Sequence, residues 1–141
     1  MRISDNFALE EFINSPTANK YNIDNTPSEQ VKNNIIKLVN NILQPIRDEW
    51  GMPITVTSGY RCKALNDKVK GSKTSQHMTG DAADITTGNA TENKKLFHLI
   101  VDMAQQKKVK YGQLIDEFGY KWLHISNPIP GTKPNQDLHI R

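Results

Sequence analysis

Val31, Ile35, Leu38, Ile42, Ile46 and Trp50 recur at spacings of four, three, four, four and four. That is one apolar stripe along a single long helix, with Asn and Lys on the opposite side. Such a helix is stable only with its stripe packed on a core, so the rest of the chain must supply one. Thr26-Pro27-Ser28-Glu29 reads as a capping box: Thr26 caps, Pro27 takes the first helical position and Glu29 reaches back. Pro45 should kink the last turns, and Gly51 should end them. With 141 residues, 36% of them hydrophobic, there is material for one modest core. A single domain over 1–141 is expected.

Other elements are shorter. Ser4 or Asp5 can cap a short helix containing Leu9 and Phe12, and the polar stretch 17–27 reads as a surface connection. Ile54-Thr55-Val56-Thr57 is β-branched and reads as a buried strand. A short helix over 63–70 should stop at Gly71, and the Gly-, Ser- and Thr-rich residues 71–81 should form a loop before a strand at 82–85. Thr91 or Asn89 can cap a second long helix carrying Leu96, Leu99, Ile100 and Met103. Strands over 111–118 and 121–126 should form a hairpin around Gly119-Tyr120. The tail from 126 onward, with three prolines, reads as irregular. The sum is an α+β fold, with helices packed on a small antiparallel sheet.

Composition narrows the function classes. A lone Cys62 cannot form an internal disulfide or a CxxC motif, so any metal must sit on His and carboxylate. A net charge of +3 is too small to argue for nucleic acid. No apolar run approaches the ~20 residues of a membrane span, so no membrane insertion is expected. The start, MRISDNFALEEF, lacks the layout of a secretory signal, from which cytoplasmic synthesis is expected.

The chemistry concentrates in Ser75-Gln76-His77-Met78-Thr79-Gly80-Asp81-Ala82-Ala83-Asp84. His77 and Asp84 lie seven residues apart across a turn at Gly80 whose small neighbours let the chain fold back, so both can converge on one ion. Forty residues later, Trp122-Leu123-His124-Ile125-Ser126 offers a second imidazole on a strand. His139, in Asp137-Leu138-His139, competes with His124 for that role. Three protein ligands leave a fourth position for water, the catalytic form of a zinc site. Another divalent metal would also accept this donor set.

SGYRCKALNDKVKGSKTSQHMTGDAADI followed by WLHIS resembles the zinc D-alanyl-D-alanine carboxypeptidase family, in particular its short phage endolysin-type branch. The likeness extends back to ISDNFALEEF, and the family motif S-x-H-x-x-G-x-A-x-D is matched by Ser75, His77, Gly80, Ala82 and Asp84. The resemblance implies a DD-peptidase/hedgehog-like fold and Zn2+ on His77, Asp84 and His124. It implies that Arg61, in Ser58-Gly59-Tyr60-Arg61, holds a substrate oxygen, for which a planar guanidinium is suited, and that Ser75 assists. The implied protein is a monomeric zinc peptidase, acting on peptidoglycan stem or cross-bridge peptides after release from the cytoplasm.

The general base departs from the better-known members of that family. Where many carry Glu or Asp three residues before the last His, this chain has Lys121; where others carry His two before it, this chain has Trp122. Hairpin parity offers a substitute. A turn at Gly119-Tyr120 sets Glu117 opposite Trp122 and Ile115 opposite His124, with Asp116 pointing the other way. Glu117 is therefore the expected base and Asp116 the second choice. The anomalous positions also leave room for a non-catalytic zinc-binding virion or cell-wall-binding module.

Overall fold

The computed structural model describes residues 1–140; Arg141, the last residue of the domain expected over 1–141, lies outside the described residues. The helical elements are α1 (Glu10–Ile13), α2 (Pro16–Lys20), α3 (Glu29–Leu38), α4 (Gln44–Trp50), α5 (Lys63–Lys68) and α6 (Ala90–Gln105). The strands are β1 (Thr55–Ser58), β2 (Ala82–Thr86), β3 (Gln113–Glu117), β4 (Trp122–Ser126) and β5 (Gln136–Ile140), forming one sheet in the order β1-β2-β4-β3-β5. The fold is α+β.

The long stripe exists, with two changes of detail. Ser28 rather than Thr26 caps α3, its Oγ accepting from the Val31 N–H at 3.2 Å. Thr26 is occupied instead by Asp24, which accepts from its hydroxyl and its N–H. The irregularity expected at Pro45 falls one turn earlier: Val39–Leu43 form a π-helical turn joining α3 to α4. Gly51 ends α4 in the left-handed conformation at φ 75°, as expected. Ile35, Leu38, Ile42 and Ile46 are fully buried, joined by Val39 and Leu43. Asn89 is the cap of α6, accepting from the Glu92 N–H at 2.8 Å.

Elsewhere the expectations shift more. α1 carries no side-chain cap, because Ser4 instead bonds the Gln44 side chain. The surface connection contains α2, capped by Ser15. β1 is an edge strand with alternating exposure rather than a buried one. The tail supplies β5, parallel to β3 with Gln136 opposite Gln113 and Ile140 opposite Glu117, so the sheet is mixed rather than antiparallel. Pro128, Pro130 and Pro134 all precede the strand. Nothing in Gln136–Ile140 itself prevents pairing.

Side-chain alternation gives the sheet two different faces. Ala83, Ile85, Leu114, Leu123 and Ile125 are buried against α3, α4 and α6. Asp84, His124, Ile115, Glu117 and Trp122 share the other face, which opens to a cleft. Asn93 of α6, fully buried, fastens the β3–β4 turn by donating to the carbonyls of Tyr120 and Lys121. Among the described residues no helix is long and apolar enough to cross a membrane.

Gly80 is fixed by two constraints at once. Its φ is +78°, and a Cβ there would lie 2.7 Å from the Val31 carbonyl oxygen. Gly119, at φ +70°, has no neighbour within 4 Å and bears only the first constraint. Gly119→Ala should therefore cost about 1–2 kcal/mol, and Gly80→Ala clearly more. Urea midpoints at unchanged m-value measure both; equal losses would show that the approach to Val31 does not matter.

Candidate metal centre and cleft

His77 sits in a single 3-10 turn, Gln76–Thr79, whose start is capped by Ser75 and whose end is Gly80. The turn is tied down from two sides. Asn34 on α3 donates to the Thr79 carbonyl at 2.8 Å, and Asn127, just past β4, donates to Asp81 Oδ1 and to the Asn34 carbonyl, both at 3.0 Å. The His77 ring is 3% exposed, and its Nδ1 lies 2.7 Å from the Gly59 carbonyl oxygen. A carbonyl only accepts, so Nδ1 carries the proton and Nε2 presents a lone pair.

That lone pair faces Asp84. Asp84 on β2 and His124 on β4 are register partners, so adjacent strands hold them side by side. Asp84 Oδ1 lies 3.4 Å from His77 Nε2 and 3.3 Å from His124 Nδ1. The two imidazoles meet edge to face at a centroid separation of 5.2 Å. All three donor atoms lie within 4.8 Å of one another. Separations near 3.3 Å are long for charge-assisted hydrogen bonds. They equal the edge of a tetrahedron whose ligands stand roughly 2.0–2.1 Å from a central ion. Two nitrogens and a carboxylate oxygen, with one imidazole oriented through its other nitrogen, suit zinc.

Without a metal the carboxylate is held by the imidazoles alone. Burial would raise the Asp84 pKa, but hydrogen bonds from His124 and His77, and their charges, outweigh it and hold the group at about 2. The unfolded value is about 3.9. The folded value is the lower one, so this stabilisation is present above roughly pH 4 and lost as pH falls through about 2. Metal-free protein should lose stability steeply in that window, and Asp84→Asn should flatten the slope. Parallel denaturation curves from pH 5 to 2 would contradict it.

The remaining site residues stand around the same cleft, about 440 Å³ in volume. The β3–β4 register pairs Glu117 with Trp122 and Ile115 with His124, as parity required. Glu117 Oε2 accepts from the Trp122 indole N–H at 2.6 Å, which leaves Oε1 free of that bond. Arg61 reaches in between β1 and α5 and donates to Ser75 Oγ at 3.4 Å; its Nε–H is buried without a partner among the described residues. Burial lowers the guanidinium pKa, while Asp84 and Glu117 favour its charge. Asp116 is on the opposite face, buried, and bonded to His139. Asp116 and His139 therefore form their own pair away from the cleft.

Three contributors were invisible in the sequence. Asn25 donates to the carbonyls of Ile13 and Tyr60 and accepts from the Cys62 N–H, bracketing the Arg61 backbone from both sides. Asn127 and Asp81 anchor the His77 turn. Neither asparagine lies in a periodic pattern or motif, and Asp81 falls on an unspecified position of the 75–84 motif. A fourth contributor, Trp122 as partner of Glu117, did have a signal: a half-buried indole needs an acceptor, and the opposite residue was a carboxylate.

A helical layer over a sheet with a His-Asp-His cluster beside a carboxylate and a guanidinium has the layout of a metallohydrolase. The family model for Peptidase M15 matches residues 5–126, and the chain belongs to that family of metallopeptidases. No curated protein matches the chain.

Proposed function

We propose that the protein is a zinc peptidase of bacterial cell walls, hydrolysing stem or cross-bridge peptides of peptidoglycan in the manner of a phage-type lysin. The observation that carries this reading is the convergence of His77, Asp84 and His124 on one cleft with Glu117 and Arg61. His77 Nε2, Asp84 Oδ1 and His124 Nδ1 would hold the metal. Zinc supplies Lewis acidity there, which activates water near neutral pH and polarises a carbonyl.

The chain's own groups do the rest. Arg61, whose guanidinium borders the cleft, donates to an oxygen of the substrate. Ser75 steadies that guanidinium. Glu117 takes the proton of the attacking water on Oε1 and returns it to the departing amine. The Trp122 indole keeps the carboxylate turned into the cleft while it does so. A positively charged Lys121, exposed on the turn, has no part in proton transfer.

Purified cell walls incubated with zinc-loaded protein test the reading. Soluble peptides bearing new amino termini, identified by mass spectrometry and absent with His77→Ala, are the expected result. Walls left intact by the zinc-loaded protein would overturn hydrolysis and leave a zinc-binding module.

A further inference from the structure

Gln76 borders two cavities, and its side-chain NH2 group is buried without a hydrogen-bond partner among the described residues. One cavity is the cleft just described. The second, about 270 Å³, shares Thr74, Gln76 and Gln113 with it. Its outer wall comes from the C-terminal segment, through Ile129, Lys133 and Gln136. These wall residues lie beyond residue 126, where the family match ends. The wall is built in place: the Gln136 N–H donates to the Gly112 carbonyl at 3.0 Å, and its side chain donates to the Lys133 carbonyl at 2.8 Å. The β3–β5 register sets Gln136 beside Gln113, on the face that also carries Ile115 and Glu117.

We propose that this second compartment is a substrate subsite, in which the polypeptide flanking the scissile bond lies extended from the metal cleft across Gln76 toward β5. The proposal rests on the peptidase reading above. The chemistry of the lining selects a peptide main chain: three carboxamides and three hydroxyls offer neutral donors and acceptors suited to amides, beside the single ammonium of Lys133. Gln76 is the specificity-determining residue. Turned into the compartment, its amide donates to a substrate carbonyl, and a substrate too short to reach it forgoes that bond. Gln76 is well placed for this, because its own carbonyl is held by the Asp81 N–H and the Thr79 hydroxyl.

The test is an NMR titration of zinc-loaded protein with two probes, a peptidoglycan stem pentapeptide and the dipeptide D-Ala-D-Ala. Gln76→Leu removes the donor. Ile129→Trp fills the compartment from the opposite wall, at a residue that does not itself line the metal cleft. Both variants should bind the pentapeptide about three- to tenfold more weakly and the dipeptide as the wild type does. Unchanged pentapeptide affinity in both variants, or equal weakening of both peptides by Ile129→Trp, would overturn the subsite. Cleavage is read in the same samples. The expected binding pattern without cleavage keeps the subsite and overturns the peptidase reading; cleavage with variant affinities unchanged does the reverse. Absence of both overturns both.

Discussion

Asp84→Ala is expected to abolish metal uptake and hydrolysis together. Asp84 is the donor between the two imidazoles, within 3.4 Å of each. Its removal leaves two nitrogens with no anionic partner. Loss of an outer-shell group that merely orients a ligand typically weakens metal binding 10–100-fold. Loss of the ligand itself should exceed that, costing more than about 100-fold in affinity. Zinc retained after dialysis, counted by mass spectrometry of the metal, and peptide release from walls are the two measurements. Asp116→Ala is the matched comparison, since that carboxylate is more deeply buried than Asp84 but bonded to His139 on the other face. It should keep both zinc and activity. Stoichiometric zinc in dialysed Asp84→Ala would end the metal assignment, whatever the activity showed.

Glu117→Gln should separate proton transfer from binding. The amide keeps the shape of the carboxylate and can still accept from the Trp122 indole, but it cannot take a proton at neutral pH. A positioned general base contributes typically 10²–10⁴-fold. A fall in kcat of that size is expected, with zinc content and KM close to those of the wild type. Trp122→Phe keeps the base and deletes only its orienting bond, so a milder loss of about tenfold is expected. Steady-state kinetics on a defined stem peptide measures both. Full turnover by Glu117→Gln would remove Glu117 from the mechanism while leaving the three metal ligands standing.

Much of the site was legible because it depends on local rules. The β3–β4 hairpin follows from two short strands and a turn at Gly119-Tyr120, and strand alternation then decides that Glu117, not Asp116, faces the cleft. The 75–84 segment was legible for a related reason: small residues around Gly80 mark a tight return of the chain, and the left-handed φ there bears it out. What escaped were contacts made over long sequence distances by residues common in loops. Asn25 acts 35 residues away on Tyr60, and Asn127 acts 93 residues away on Asn34. β5 escaped because three prolines dominate its approach, although the strand proper contains none. The capping box placed the cap at Thr26, but Asp24 engages the Thr26 hydroxyl and N–H, and Ser28 caps instead.

The π-helical turn at Val39–Leu43 is a correction of phase. Each residue of an α-helix advances about 100°, so a spacing of four overshoots a full turn by about 40°. Three such spacings in succession, from Leu38 through Ile42 and Ile46 to Trp50, would carry the stripe about 120° around the helix. One surplus residue, taken up as a wide turn, winds most of that back, which is how Ile46 reaches full burial. The helix is therefore keyed to its length. Deleting one residue within 39–43 would remove the surplus and give a regular helix with Ile46 and Trp50 still facing the core, whereas straightening the helix at its present length would rotate them about 100° off it. Regularity and fit are opposed at this length, and the fold has kept fit.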